Sequence, residues 1–481
     1  MSKFILFSIF LFFSCLLAEG QKRGLNYQAS LESYFSKENT LAFWQRSNRY
    51  GVVPDGNNGL LQAGLYSGFA HQHAIDFSYG ISAAGFLSKQ SNKIILDQAY
   101  VSAKWKNIRL DLGLIHQDME YGGISSSNGN IIYSNNSRTL PGINLRTDFI
   151  RIPFNGNFLY FKFNLAEYRM IDNRFAENTR LHNKSLFINL KPTKKIDIII
   201  GLEHWAQWAG KSPVYGKQPH SFRDYVRIFA AQSGGEGATL SDSINALGNH
   251  LGREYIRLNY YDENYTVSFY HDIPFEDGSG MRLANIPDGI YGIYYGSQKQ
   301  NRWISDVIYE FIYTKSQSGR HHDRPATPEE KEHQDPHSPT YGKVILGGND
   351  NYFNNGEYRS GWTYYGRTIG SPFLTPVAPN KEGITLGIYN NRVLAHYLGL
   401  KGYIAHKLPY KLRLSYSLNY GKYSAPLADT PRQFSFGLET GILNKPKAPC
   451  HIHVGIYGDF GKLLKNNLGI SLQITRNGLL K

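Results

Sequence analysis

One stretch of this chain combines the side chains that recognise sugars. Between Gly347 and Arg367 lie Glu357, Arg359, Trp362, Tyr364, Tyr365 and Arg367, interleaved with Asn349, Asn351, Asn354 and Asn355. Aromatic faces stack on the C–H surface of a sugar ring, and amides or carboxylates meet its hydroxyls. Arg359 and Arg367 are suited to gripping the carboxylate of a uronic acid with two parallel hydrogen bonds. The same composition also suits an aromatic girdle joined to a packed, inward-folding loop, and the sequence leaves both readings open.

Other polar groupings carry less chemistry. Glu203 and His204 are adjacent within Leu202–Trp208. Neighbours in a strand face opposite ways, which argues against an acid–base pair. Trp205 and Trp208 read as anchors at a membrane interface. Residues 319–341 carry His321, His322, His333 and His337 among Pro325, Pro328, Pro336 and Pro339. That composition predicts a mobile, solvated loop. Its histidine spacing fits no zinc pattern, and no metal or cofactor is expected. No Ser–His–Asp set and no paired carboxylates stand out, so no catalytic residue is assigned and the protein is not expected to be an enzyme.

The elements that must hold the Glu357–Arg367 stretch are strands. From Leu412 to Tyr420, Leu412, Leu414, Tyr416, Leu418 and Tyr420 alternate with Arg413, Ser415, Ser417 and Asn419. Successive strand side chains point to opposite faces, so this segment has one apolar and one polar face. The pattern recurs at Ile108–Leu114, Phe158–Phe163, Tyr265–Phe269, Trp303–Tyr313 and Leu468–Ile474. In the fourth of these, Asp306 and Glu310 fall opposite Trp303, Val307, Tyr309, Phe311 and Tyr313. With 35 Tyr, 27 Phe and 48 Gly in 481 residues, the repetition predicts an all-β fold. Its form is a transmembrane antiparallel β-barrel, apolar outside and polar in the lumen. At roughly 9–11 residues per strand plus loops, about 16–20 strands fit. Leu412 and its apolar partners should face lipid, and Arg413 and its polar partners the lumen.

The N-terminus predicts export. Lys3 precedes an apolar run from Phe4 to Leu17, and Ala18-Glu19-Gly20 supplies small residues for cleavage before Gln21. Residues 1–20 thus read as a signal peptide and 21–481 as the barrel, placing the protein in the cell outer membrane. Cys15 lies within the apolar run, leaving Cys450 alone and no intrachain disulfide. The formal net charge of +14 favours acidic partners, here lipopolysaccharide or an acidic polysaccharide. The basic residues are scattered and no nucleic-acid motif appears. A monomer is expected.

Three segments lack strand periodicity: 39–59, 210–252 and 319–341. The second predicts a helical insertion in which Ser221 caps and Asp224 answers three residues later. Phe222, Tyr225, Val226 and Phe229 share one face, and Gly234-Gly235 ends it. The chain ends on Lys481, whereas barrels of this kind usually end on an aromatic residue.

Several long stretches carry a resemblance. They are Thr40–Gly51, Tyr133–Gly142, Leu202–Trp208, Asn245–Gly252 and Asn354–Arg367. Together they resemble the Wzi-type capsule assembly family in its Bacteroidetes-like form. The resemblance implies an outer-membrane barrel of about 18 strands with short periplasmic or plug helices. It also implies a lectin that holds capsular or other surface polysaccharide during capsule assembly. The rivals are a diffusion porin, a barrel enzyme such as a lipase or deacylase, and an accessory subunit of an outer-membrane assembly or secretion complex.

Overall fold

The computed structural model describes residues 24–480, apart from 71–73, 89–91, 155, 236–237, 240–241, 243–245, 277–282, 300, 320–323, 339, 345–349 and 444–447. The expected signal peptide lies outside the described residues.

Eighteen antiparallel strands close into one barrel. In chain order they are β1 (Leu25–Ser36), β2 (Asn58–Ser67), β3 (Ile75–Ser88), β4 (Asn92–Trp105), β5 (Ile108–Leu114) and β6 (Gly142–Thr147). Next come β7 (Leu159–Arg169), β8 (Arg180–Leu190), β9 (Ile196–Trp208), β10 (Asn249–Tyr261), β11 (Tyr265–Phe275) and β12 (Gly289–Ser297). The last are β13 (Asp306–Tyr313), β14 (Arg392–Ile404), β15 (Leu408–Gly421), β16 (Arg432–Leu443), β17 (His451–Gly461) and β18 (Asn467–Leu480). Each pairs with its chain neighbour, and β1 meets β18 from Leu25↔Leu480 to Ser36↔Gly469. Closure leaves no unpaired edge for lipid to solvate, which a membrane-spanning sheet requires.

The alternation has the expected sense. On β15, Arg413, Ser415, Ser417 and Asn419 are buried in the lumen, while Tyr416 is exposed outside. On β1, Leu31 and Phe35 stand exposed while Ser30, Glu32 and Tyr34 are buried. Transferring one such apolar side chain into water costs about 1.5–3 kcal/mol, and the outer wall carries dozens, so its solvent is lipid. The fourth predicted strand is shorter than its pattern: β13 starts at Asp306, and Trp303 lies in the preceding turn.

The longest connections fall on one side of the barrel. The start of β1, the end of β18 and the short turns at 106–107, 191–195, 262–264 and 405–407 share one end. The segments 37–57, 115–141, 209–248 and 314–391 share the other. Short turns are periplasmic and long loops extracellular in such barrels. Three of the long segments fold back and fill the lumen. Trp44, Tyr121, Ile124, Ile131, Ile132, Tyr352, Phe353, Trp362 and Phe373 pack there against wall residues such as Trp205, Tyr270, Ile308 and Tyr397. The core of the protein is therefore this plug, in place of an open channel.

Wall carboxylates tie the plug down. Glu310 on β13 accepts the backbone N–H of Ser126 at 2.8 Å and the hydroxyls of Ser125 and Tyr270. Asp272 on β11 accepts Ile131 N–H at 2.7 Å. Glu203 on β9 accepts Asn130, Trp205 and Arg253. The first long loop holds a single helical turn, α1 (Phe43–Arg46). Its Trp44 indole donates to Ser415 Oγ at 3.1 Å.

The predicted helix is present as α2 (Phe222–Ala230), with the Ser221–Asp224 capping box. It ends earlier than the glycine pair. Ala231 adopts φ 50° and takes the Arg227 and Ile228 carbonyls. The helix seats through Ile228, fully buried, and through Tyr225 against Trp208 and His182. His182, His204 and Trp208 share strand faces with lipid-side Leu186, Ile188 and Leu202, so α2 covers the outer wall near the rim. Phe222, Val226 and Phe229 remain exposed. In segment 319–341, His321 and His322 of the expected loop lie outside the described residues. The segment contains α3 (Pro328–Glu332), capped by Thr327, and a ribbon pairing Arg324–Pro325 with Lys343–Val344.

Candidate functional site

The Glu357–Arg367 stretch belongs to the longest loop, and its six candidate residues part company in space. Thr363–Tyr364 pairs with Arg367–Thr368 as a tiny hairpin turning on Tyr365-Gly366. Both turn residues have positive φ, 49° and 77°, the conformation of a type I′ turn, which explains the glycine at the second position. The hairpin drives alternate side chains inward. Trp362 is fully buried, edge-on to Trp205 at 5.8 Å, and its Nε1–H donates to the Ile132 carbonyl at 2.7 Å. Tyr364 is 1% exposed. Neither offers a face to a sugar. Their aromatic surface is spent on packing the plug, so their part is to position the loop.

Tyr365, at the hairpin tip, is 41% exposed. The Arg138 guanidinium lies over its ring at 4.1 Å, one face of a cation–π pair. Arg367 donates to the Val53 carbonyl at 2.9 Å and to Asp55 Oδ1 at 2.8 Å. Arg46 reaches the same oxygen at 2.8 Å. One carboxylate thus serves two guanidinium groups, and a small cleft between them is walled by Phe43, Phe373 and Pro376. Arg359 is exposed, its guanidinium over the Phe175 ring at 4.9 Å.

Glu357 lies elsewhere, on a cleft of about 1040 Å³ between the 209–248 insertion and the long loop. Asn249, Asn351, Asn354 and Asn355 line it with Asp242, Glu276, Asp350 and His250. Glu357 accepts the Thr239 hydroxyl and faces Asp242. Burial and the adjacent Glu357 carboxylate push the Asp242 carboxyl up to about 7. Nearby, Asp288 gathers the Ser316 and Gln317 amides and the Tyr352 hydroxyl at 2.6–2.8 Å. Burial outweighs the two amides and holds its carboxyl up, at about 6. These carboxyls are latches between loops.

Asp242, Asp55 and Arg138 carried no signal in the sequence. Asp55 meets Arg367 across 312 residues of chain, a pairing that local spacing does not report. Trp205 and Trp208 are corrected as well. Trp205 packs inside the lumen and Trp208 lies under α2, so neither is an interface anchor. Glu203 and His204 do face opposite ways: Glu203 meets Arg253 inside, and His204 meets His250 outside at 2.8 Å. Among the described residues no group of three or more metal-ligating side chains gathers.

A lipid-belted barrel whose lumen is filled by its own outer loops, leaving polar clefts at the rim, is a plugged outer-membrane-type barrel. The chain belongs to the capsule assembly protein Wzi family, whose model matches residues 24–334. Among solved structures it is similar to Wzi of Escherichia coli, an outer membrane protein involved in group 1 capsule assembly and described as a carbohydrate-binding β-barrel. That likeness has a TM-score of 0.57 at 12% identity and covers 96% of this chain and 86% of the other. OccD3 (OpdP) of Pseudomonas aeruginosa follows at TM-score 0.46 and 10% identity, covering 95% and 91%. OprD of the same organism has TM-score 0.46 and 8% identity, covering 95% of each chain. No curated protein matches the chain.

Proposed function

We propose that this chain is a non-enzymatic outer-membrane lectin that holds capsular or other surface polysaccharide at the cell exterior during capsule assembly. The observation that carries the reading is the filled lumen. Three long loops spend their apolar side chains on a plug and leave amides, carboxylates and guanidinium groups at the rim. A diffusion channel would keep that lumen open. Family membership and the carbohydrate-binding description of the E. coli barrel support the same reading.

Glu357, Arg359, Tyr365 and Arg367 are the contacts of choice, with Trp362 and Tyr364 beneath them. Arg359 and Arg367 meet acidic groups on the polymer, and Tyr365 offers its ring. Repeated weak contacts to a repeating polymer add through avidity, so no single cleft need bind tightly. The basic surface also suits lipopolysaccharide phosphates around a monomeric barrel.

The test is binding of purified capsule to the full-length protein in detergent. Joint replacement Arg359→Ala, Tyr365→Ala and Arg367→Ala is expected to weaken it about tenfold or more. Undiminished binding discards these contacts. A deletion strain that keeps its cell-attached capsule discards the function.

A further inference from the structure

Beneath the plug lies a second cavity, of about 260 Å³, on the side of the lumen nearer the start of β1 and the end of β18. The inward loops 37–57 and 115–141 form its roof, and β1, β2, β4, β15 and β18 its walls. Its lining is polar and organised. Glu32 accepts four donors: Ser30 Oγ at 2.9 Å, Tyr34 OH at 2.6 Å, Gln62 Nε2 at 3.0 Å and Gln473 Nε2 at 2.9 Å. The carboxylate fixes both amides and so fixes where their carbonyl oxygens stand as acceptors for a ligand's hydroxyls. Opposite, the Tyr50 and His116 rings stack at 3.6 Å with 2° between planes, and Asp97 holds His116 at 2.9 Å.

The charges around this chamber are unevenly paired: Arg49, Lys411 and Arg413 face Glu32, Asp97 and Glu439, and two of the three cations share Glu439. Glu439 is the nearest carboxylate on the β15–β16 side, and its Oε1 already receives Arg49 and Arg413. Lys411 lines the same cavity, on the strand face of Arg413. Among the described residues no carboxylate stands within 4.0 Å of its ammonium, and it donates no side-chain hydrogen bond. Lys411 stands across the ladder from Glu439, a carboxylate already shared by two guanidinium groups, so an anionic ligand would give its ammonium a partner of its own.

We propose that this chamber binds one carboxylated sugar residue, entering from the periplasmic side. Its carboxylate pairs with Lys411 and its hydroxyls meet Gln62 and Gln473, against the Tyr50–His116 wall. The proposal rests on the lectin reading for its ligand class, but it uses none of the rim residues.

The experiment is calorimetric titration of the full-length protein in detergent with galacturonate, galactose and inorganic phosphate. Galacturonate is expected to bind at least about tenfold more tightly than galactose or phosphate. Lys411→Ala should lose about tenfold for galacturonate and nothing for galactose, while Lys411→Arg keeps the preference. Gln62→Leu should weaken both sugars, and it decides the matter if Lys411→Ala yields no folded barrel. The proposal is overturned by absent galacturonate binding, by phosphate binding as tightly, or by loss of neither sugar in the variants. The Lys411→Ala loss should persist when Arg359, Tyr365 and Arg367 are all replaced by Ala, a background in which uronate binding at the rim is removed, so failure of the rim contacts and failure of the chamber are read separately.

Discussion

The indole of Trp362 donates to the Ile132 carbonyl at 2.7 Å, joining two loops that are 230 residues apart in the chain. That bond and the edge-on contact with Trp205 lock the longest loop to the 115–141 loop and to the barrel wall. Trp362→Ala should therefore destabilise the plug by about 3–5 kcal/mol, the usual cost of deleting a fully buried large aromatic. Arg359→Ala, at an exposed guanidinium, should change stability by less than about 0.5 kcal/mol. Thermal unfolding of the two variants checks this contrast. Equal stability would mean that Trp362 is free to serve ligand directly.

The Glu310 carboxylate, on β13, holds the plug from another part of the wall. It accepts a backbone amide and two hydroxyls in a site sealed from solvent. Replacement by Ala strands those donors, and each lost bond to a charged acceptor costs about 1.5–3 kcal/mol. Glu310→Ala should loosen residues 125–131 and admit ions through the lumen. Planar-bilayer recordings should show near-silent wild-type protein and intermittent openings in the variant. Steady wild-type currents of porin size would contradict the filled lumen.

The seat of α2 gives a third expectation. Ile228 is fully buried, whereas Phe222 on the same helix is 80% exposed. Ile228→Ala should cost about 2–4 kcal/mol locally, and loss of the Ser221 cap about 1 kcal/mol. Limited proteolysis within 209–248 should accelerate in both variants, with the barrel itself intact. Phe222→Ala should leave the rate unchanged.

Much of the architecture was legible because strand chemistry is local. The alternation from Leu412 to Tyr420 assigned lumen and lipid faces residue by residue, and β15 follows it. The capping box at Ser221 was legible for the same reason. What escaped is what depends on contacts across hundreds of residues. Composition reports that Trp362, Tyr364 and Tyr365 are aromatic. It does not report that a two-residue turn sends the first two into the plug and the third to the surface. Trp205 and Trp208 share one strand end with a rim position, yet one faces the lumen and the other lies beneath a helix 14 or more residues downstream. Lys411 gave no signal at all, because the sharing of Glu439 with Arg49 and Arg413 is a property of the closed barrel.

The carboxyl pair Asp242–Glu357 ties the 209–248 insertion to the longest loop, and its strength depends on pH. The Asp242 carboxyl sits at about 7 because burial and the neighbouring Glu357 carboxylate disfavour its charged form. In the undocked insertion it returns to the ordinary value of about 3.9. The docked state then holds more protons than the undocked one throughout the interval between these values, so docking weakens as pH rises. It is strongest below about pH 4, declines through neutrality and levels off above about pH 7. Hydrogen exchange of the 209–248 amides should accelerate between pH 5 and 8, after correction for the intrinsic exchange rate. Glu357→Gln replaces one of the two charges with an amide that can donate to Asp242. That variant should hold the insertion closed at pH 8 and flatten the profile. An unchanged pH profile in Glu357→Gln would show that the latch lies elsewhere.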